Sequence, residues 1–143
     1  MDTKSLDQQL GGESAIGASV GTGMEWVAAV ENGFFPTAVE AAVRSGLLTW
    51  EEVDQIVIPR RTLNHRRAHG RRLTLDESDC LLRIARVTAD AEAAFANPEK
   101  ARRWLRTPSR PLGHAVPLQK LRTSAGADLV REELVRIRHG IFA

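Results

Sequence analysis

The chain has 143 residues, 43% apolar and 27% charged, values typical of a soluble globular protein with one domain or two small ones. Its formal net charge is only +2, its one cysteine excludes an intramolecular disulfide framework, and no apolar run reaches the roughly 18 residues of a membrane-spanning helix. Because the start of the chain lacks a signal-peptide pattern, we expect a cytoplasmic protein without a membrane partner.

Helix signals follow one another along the chain and no segment is typical of a strand, so we predict an all-α fold. Residues 1–23 are rich in Gly and Ser, and we expect a flexible arm there. Two capping boxes, Thr49 with Glu52 and Thr74 with Glu77, mark helix starts. The predicted helices cover roughly residues 24–31, 36–45, 49–57, 59–69, 75–95, 98–106 and 124–139.

The stretch PRRTLNHRRAHGRR, residues 59–72, concentrates positive charge. It contains six arginines and no acidic residue, which leaves 14 of the 20 basic residues against all 18 acidic ones in the rest of the chain. A mildly acidic body with one basic patch indicates a polyanionic partner at that patch.

The same region predicts two short helices joined by a tight turn at Ile58–Pro59, with Val53, Ile56 and Leu63 placed to pack them together. This layout is typical of a helix-turn-helix, whose second helix enters the DNA major groove. Arg, Asn and Thr side chains bond base edges and phosphates. The candidate DNA-binding residues are Arg60, Arg61, Thr62 and Asn64, for base contacts, and His65, Arg66, Arg67, Arg71 and Arg72 further along.

Other interpretations of the basic patch stay open: a solvated face, or binding of RNA or of an acidic protein. His65 and His69 have the i, i+4 spacing of zinc sites, but no cysteine or acid nearby completes a site, and we predict polar nucleic-acid contacts instead of a metal site. Cys80 lies within an apolar helix segment and is expected to be an inert buried thiol. Because no catalytic grouping or cofactor motif is present, we predict a protein that is not an enzyme and needs no cofactor.

The second half of the chain contains several motifs in a distinctive order: RIARV, ARRWL, PLG followed by PL, LRTSAG and the ending HGIF. Together they resemble the Xre/MbcA/ParS toxin-binding domain of type II antitoxins over roughly residues 55–143. The preceding part is similar to the Xre-like helix-turn-helix of the same antitoxins, and residues 1–23 lie outside the match. Within these motifs, Trp104 and Leu105 are expected in the core.

The resemblance implies a DNA-binding region over residues 24–72 and a toxin-binding, dimerising domain over residues 73–143. It implies that the protein binds operator double-stranded DNA, represses its own operon, and neutralises a RES-domain, NAD-consuming toxin by covering the active site with its C-terminal segment. A homodimer and a larger toxin–antitoxin assembly are expected. The toxin-binding candidates are Arg136, Arg138, His139, Ile141 and Phe142.

Each part of this hypothesis has an alternative. Ile141 and Phe142 would otherwise pack on this chain or on a dimer mate, and Arg136 and Arg138 would belong to a solvated face. The whole protein would otherwise be a stand-alone transcription regulator whose C-terminal half is a dimerisation module, or an RNA-binding adaptor.

Overall fold

A computed structural model of the chain describes residues 5–140, and within that range it is built from helices, as the sequence predicts. Its α-helices are α1 (Leu6–Gln9), α2 (Gly12–Ile16), α3 (Gly23–Asn32), α4 (Thr37–Arg44), α5 (Trp50–Glu52), α6 (Arg60–Ala68), α7 (Leu75–Phe95), α8 (Pro98–Leu105) and α9 (Ser124–Arg138). A π-helical segment, Val53–Val57, continues α5, and 3₁₀ helices cover Arg110–Leu112 and Pro117–Arg122. No helix in residues 5–140 is both long enough and apolar enough to cross a bilayer.

Both predicted capping boxes form. The backbone N–H of Glu52 donates to Thr49 Oγ1 over 3.2 Å, and the backbone N–H of Thr49 donates to the Glu52 carboxylate over 2.9 Å. The corresponding distances for Thr74 and Glu77 are 3.1 and 2.8 Å. Since each box satisfies two N–H groups that a helix start leaves without partners, α5 and α7 begin where the sequence predicts.

The structure differs from the flexible arm expected over residues 1–23, because α1 and α2 lie within it. Leu10 and Ile16 are fully buried, and the carbonyl of Ala15 accepts a hydrogen bond of 2.8 Å from the N–H of Phe35. A Cβ on Gly11 would lie 2.6 Å from the Ala15 Cβ, so glycine permits this close packing. A few well-placed apolar side chains thus order a segment whose composition suggests a linker.

The chain divides into two compact units that meet in sequence at Leu82–Arg83, within α7. In the first unit, the N–H of Phe34 donates to the buried Ser78 Oγ over 2.9 Å, which fixes the start of α7 to the loop before α4. The thiol of Cys80 is 5% exposed and donates to the Ile56 carbonyl over 3.6 Å. The largest fully buried side chains of this unit are Leu10, Ile16, Phe34, Val39, Leu48, Ile58, Leu63 and Leu81.

The second unit has its own core, formed by the end of α7, α8, the 3₁₀ helices and α9. Leu105 is fully buried, and the half-buried Trp104 ring lies 5.9 Å from the Phe95 ring. Both observations agree with the expected place of Trp104 and Leu105 in the core. The first turn of α9 crosses the preceding 3₁₀ helix so closely that a Cβ on Gly126 would lie 2.0 Å from the Lys120 carbonyl oxygen. The other large side chains buried here include Ile84, Val87, Leu118, Leu121, Val130 and Leu134.

Candidate nucleic-acid interface

The two helices predicted to form a helix-turn-helix are present and pack against each other. Ile58, in extended conformation, ends the π-helical continuation of α5, and α6 begins directly after Pro59. Val53, Ile56 and Leu63, the three residues predicted to pack the pair, are 0%, 6% and 1% exposed. The first helix and α6 therefore pack as the two helices of a helix-turn-helix do, with α6 as the second helix.

An acidic side chain fixes the start of α6. Pro59 precedes the helix and has no side chain that could cap it, and the Asp54 carboxylate instead accepts from the N–H of Arg60 over 2.8 Å. Such a carboxylate replaces the N-cap side chain that the sequence lacks at Pro59. Asp54 was not among the predicted functional residues. The sequence feature that could have identified it is an acidic residue six positions before a helix that begins without a capping side chain.

The surface of α6 opposite Leu63 is open to solvent. Leu63 is the residue of α6 that is buried, whereas Arg61, Asn64 and His65 are exposed. We call Arg61, Asn64 and His65 the outward face of α6. These side chains present guanidinium, amide and imidazole groups, which are the hydrogen-bonding groups that contact base edges in the major groove.

The six arginines of residues 59–72 fall into three pairs that differ in their contacts. Arg61 and Arg71 are exposed and have no ion-pair or ring partner within residues 5–140. The guanidinium carbon of Arg60 lies 4.7 Å from the centre of the Trp50 ring, a cation–π contact. That of Arg72 lies 4.4 Å from the Phe35 ring centre, and Arg72 also donates to the Gly33 carbonyl over 3.4 Å.

The other two arginines form ion pairs with acids from distant parts of the chain. Arg66 pairs with Glu77 of α7, where the two side chains are 18% and 15% exposed. Arg67 pairs with Glu40 of α4 and is about half exposed. Residues 59–72 contain no acidic residue, yet part of their positive charge is neutralised by acids that the fold brings to them. Contacts of Glu40, Glu77 and Trp50 with α6 were not predicted from the sequence, since only the tertiary fold brings these residues to α6.

The two histidines near the end of α6 contact each other. The rings of His65 and His69 are 4.2 Å apart, and the Nδ1 atom of His69 lies 2.8 Å from the His65 carbonyl oxygen. Both side chains are exposed, as a contact to nucleic acid would require. Thr62, also a candidate DNA contact, is half-buried on the side of α6.

The predicted toxin-binding residues lie at the end of α9. Arg136 donates to the buried Glu133 carboxylate over 3.0 Å, while Arg138 and His139 are exposed. Gly140 has a positive φ of 73° and follows the last helical turn, a position where glycine commonly ends a helix. Ile141 and Phe142 lie outside the described residues, so the predicted toxin contact of these two stays a prediction.

Comparison with known proteins gives two family matches and several relatives. Residues 25–86 match the antitoxin Xre-like helix-turn-helix domain, and residues 90–140 match the antitoxin Xre/MbcA/ParS C-terminal toxin-binding domain.

Three proteins named antitoxin Xre are similar to the chain. One from Pseudomonas putida is 42% identical over 111 residues, which cover 78% of this chain and 69% of the relative. Another from Yersinia enterocolitica is 39% identical over 87 residues, or 60% of this chain and 59% of the relative. A third from Photorhabdus laumondii is 38% identical over 80 residues, or 54% of each chain.

Proposed function

Because the chain belongs to the antitoxin Xre family, as the resemblance of its motifs predicted, we propose that it neutralises a RES-domain toxin and represses its own operon. In this proposal it is a binding protein, with no catalytic step of its own. The observation that supports both roles is the presence in one chain of a helix-turn-helix domain at residues 25–86 and a toxin-binding domain at residues 90–140.

The DNA-binding role is assigned to α6. Its outward face is exposed, its start is fixed by Asp54, and its packing against the π-helical segment holds it at the surface. Arg61 and Asn64 would contact base edges, and Arg71 would contact a phosphate. The full predicted set of contacts, from Arg60 to Arg72, remains a proposal to be tested residue by residue.

The toxin-binding role is assigned to the end of the chain. The toxin would consume NAD, and the segment from Arg136 to Phe142 would cover its active-site cleft. Arg138 and His139 are exposed at the end of α9, and the guanidinium group of Arg138 would suit a cleft lined by carboxylates. Arg136 would first have to leave the Glu133 carboxylate that it contacts at 3.0 Å.

We also propose that the protein acts as a dimer on DNA. One helix of the length of α6, Arg60–Ala68, contacts few base pairs, and helix-turn-helix proteins bind two-fold operators as dimers. Leu129 and Val135 of α9 are more than half exposed, which gives this helix apolar side chains available to a second protein chain.

The proposed function is tested by co-expressing the chain with the product of the adjacent gene. Growth should be restored when both are produced, and the two proteins should co-purify. A chain truncated after Arg138 should fail to restore growth and should still bind the promoter duplex. Growth restored by the truncated chain would place the toxin contact elsewhere in residues 90–140. A neighbouring product that is neither toxic nor co-purified would instead favour a stand-alone regulator.

A further inference from the structure

A cleft of about 340 Å³ lies beside α6, between α4 and the start of α5. Its walls include Arg44 from α4, Trp50 from α5, and Arg60 and Arg67 from α6, with Glu40 at one side. We call it the α4–α6 cleft. Three arginines and one glutamate give it a formal charge of +2, so its chemistry favours an anion.

The cations of the cleft are held in different ways. Arg44 is exposed and has no partner within residues 5–140. Arg60 lies over the half-buried Trp50 ring, which holds its guanidinium group at the cleft wall. Arg67 pairs with Glu40. Among the contacts of residues 5–140, the cleft therefore combines one cation without a side-chain partner, one positioned cation and one cation in an ion pair.

We propose that the α4–α6 cleft binds a phosphate of the DNA backbone, with Arg44 as a direct contact and Trp50 as the residue that positions Arg60. The inference rests on the proposed DNA-binding function and adds Arg44 and Trp50 to the interface. The chemistry is that of a phosphodiester, whose non-bridging oxygens accept hydrogen bonds from guanidinium groups.

The place of the cleft favours a backbone phosphate over a free small anion. Asn64 belongs both to the cleft wall and to the outward face of α6, so DNA in contact with that face would extend to the cleft. In a helix-turn-helix, the second helix enters the major groove while the preceding helix crosses the backbone. Trp50 is the first residue of that preceding helix, which places the cleft on the path of a DNA strand.

Glu40 limits the positive charge of the cleft. Its carboxylate holds Arg67 and would repel a phosphate that enters. When a phosphate binds, Arg67 exchanges the Glu40 carboxylate for a phosphodiester oxygen, and Glu40 loses its partner. Glu40 therefore weakens DNA binding by this chain without contacting a base.

The test measures affinity for two labelled duplexes of equal length, the promoter region upstream of the gene and a scrambled version, across a range of salt concentrations. Arg44→Ala should lower both affinities by the same factor and reduce the slope of log affinity against log salt by about 0.9, the value for one phosphate contact. Arg122→Ala, which removes an exposed arginine of the second unit, is the matched control and should leave the slope unchanged. Glu40→Gln should raise both affinities and the slope.

Trp50 is tested by two substitutions in two backgrounds. Trp50→Ala should lower the affinity for both duplexes. Trp50→Phe should keep most of the wild-type affinity, because a ring remains under Arg60. In a chain that already carries Arg60→Ala, Trp50→Ala should cause no further loss of affinity. A purely structural tryptophan would lower the melting temperature and would add its effect to that of Arg60→Ala.

The outcomes separate the two proposals. If the wild-type chain binds the promoter duplex no more tightly than the scrambled one, the proposed operator binding is wrong. If it binds the promoter selectively and Arg44→Ala keeps the wild-type affinity and slope, the α4–α6 cleft is not a phosphate site. A loss with Arg44→Ala on the promoter duplex alone would also overturn the phosphate assignment, because it would indicate a base contact.

Discussion

Arg66, near the end of α6, forms an ion pair with Glu77 in the first turn of α7, and the same Glu77 carboxylate accepts a hydrogen bond of 2.8 Å from the N–H of Thr74. One acid thus caps α7 and neutralises an arginine of the helix proposed to contact DNA. Both side chains are less than one-fifth exposed, so this pair is shielded from solvent and belongs to the folded framework.

Glu77→Ala should destabilise the protein by about 2 kcal/mol. The substitution removes half of a capping box and leaves the Arg66 guanidinium without its carboxylate. Glu77→Gln should cost less, because an amide oxygen can still accept from Thr74. Urea unfolding followed by circular dichroism measures both values. Asp76→Ala, an exposed acid in the same turn, is the control, and an equal loss for Asp76 and Glu77 would show that neither the capping box nor the ion pair of Glu77 contributes.

The salt dependence of DNA binding should show which arginines contact phosphates. Arg71→Ala should reduce the slope of log affinity against log salt by about 0.9, since Arg71 has no partner in the described part of the chain. Replacing Arg66 and Glu77 together by Gln keeps the net charge and should leave the slope unchanged. A slope that falls by about 0.9 in the double variant would mean that Arg66 leaves Glu77 to bind a phosphate.

Gly126→Ala should disrupt the toxin-binding unit. The added Cβ would lie 2.0 Å from the Lys120 carbonyl oxygen, so α9 would have to move away from the 3₁₀ helix, at a cost of roughly 1–3 kcal/mol. In the co-expression assay this variant should restore growth poorly while it still binds promoter DNA. Gly23→Ala, where the new Cβ would meet open space, is the control. Full neutralisation by Gly126→Ala would show that α9 adapts without loss of toxin contact.

Local signals in the sequence predict most of the helices. The capping boxes of α5 and α7 each depend on residues a few positions apart, and the structure has both. The same is true of the turn at Ile58–Pro59. These features were predictable because the groups that stabilise a helix end are neighbours in sequence.

Long-range contacts were not predictable in this way. Glu40 and Glu77 reach α6 only after folding, so the basic stretch looked wholly unpaired in sequence, whereas two of its arginines form ion pairs. The helices α1 and α2 were not predicted, because Leu10 and Ile16 are isolated apolar residues in a segment rich in Gly and Ser. Their burial depends on packing against the rest of the unit. Sequence patterns therefore indicate where the helices lie, and the fold determines which charges remain available.

The most direct test of DNA contact by α6 is the affinity of an Arg61→Ala, Asn64→Ala double variant for the promoter duplex, measured by fluorescence anisotropy beside the wild-type chain. Both side chains are exposed, so the variant should keep its helical circular dichroism and its melting temperature. We expect its preference for the promoter over the scrambled duplex to fall at least tenfold, since each lost base contact costs about 1–3 kcal/mol. An unchanged preference in a folded variant would contradict the assignment of base contact to the outward face of α6.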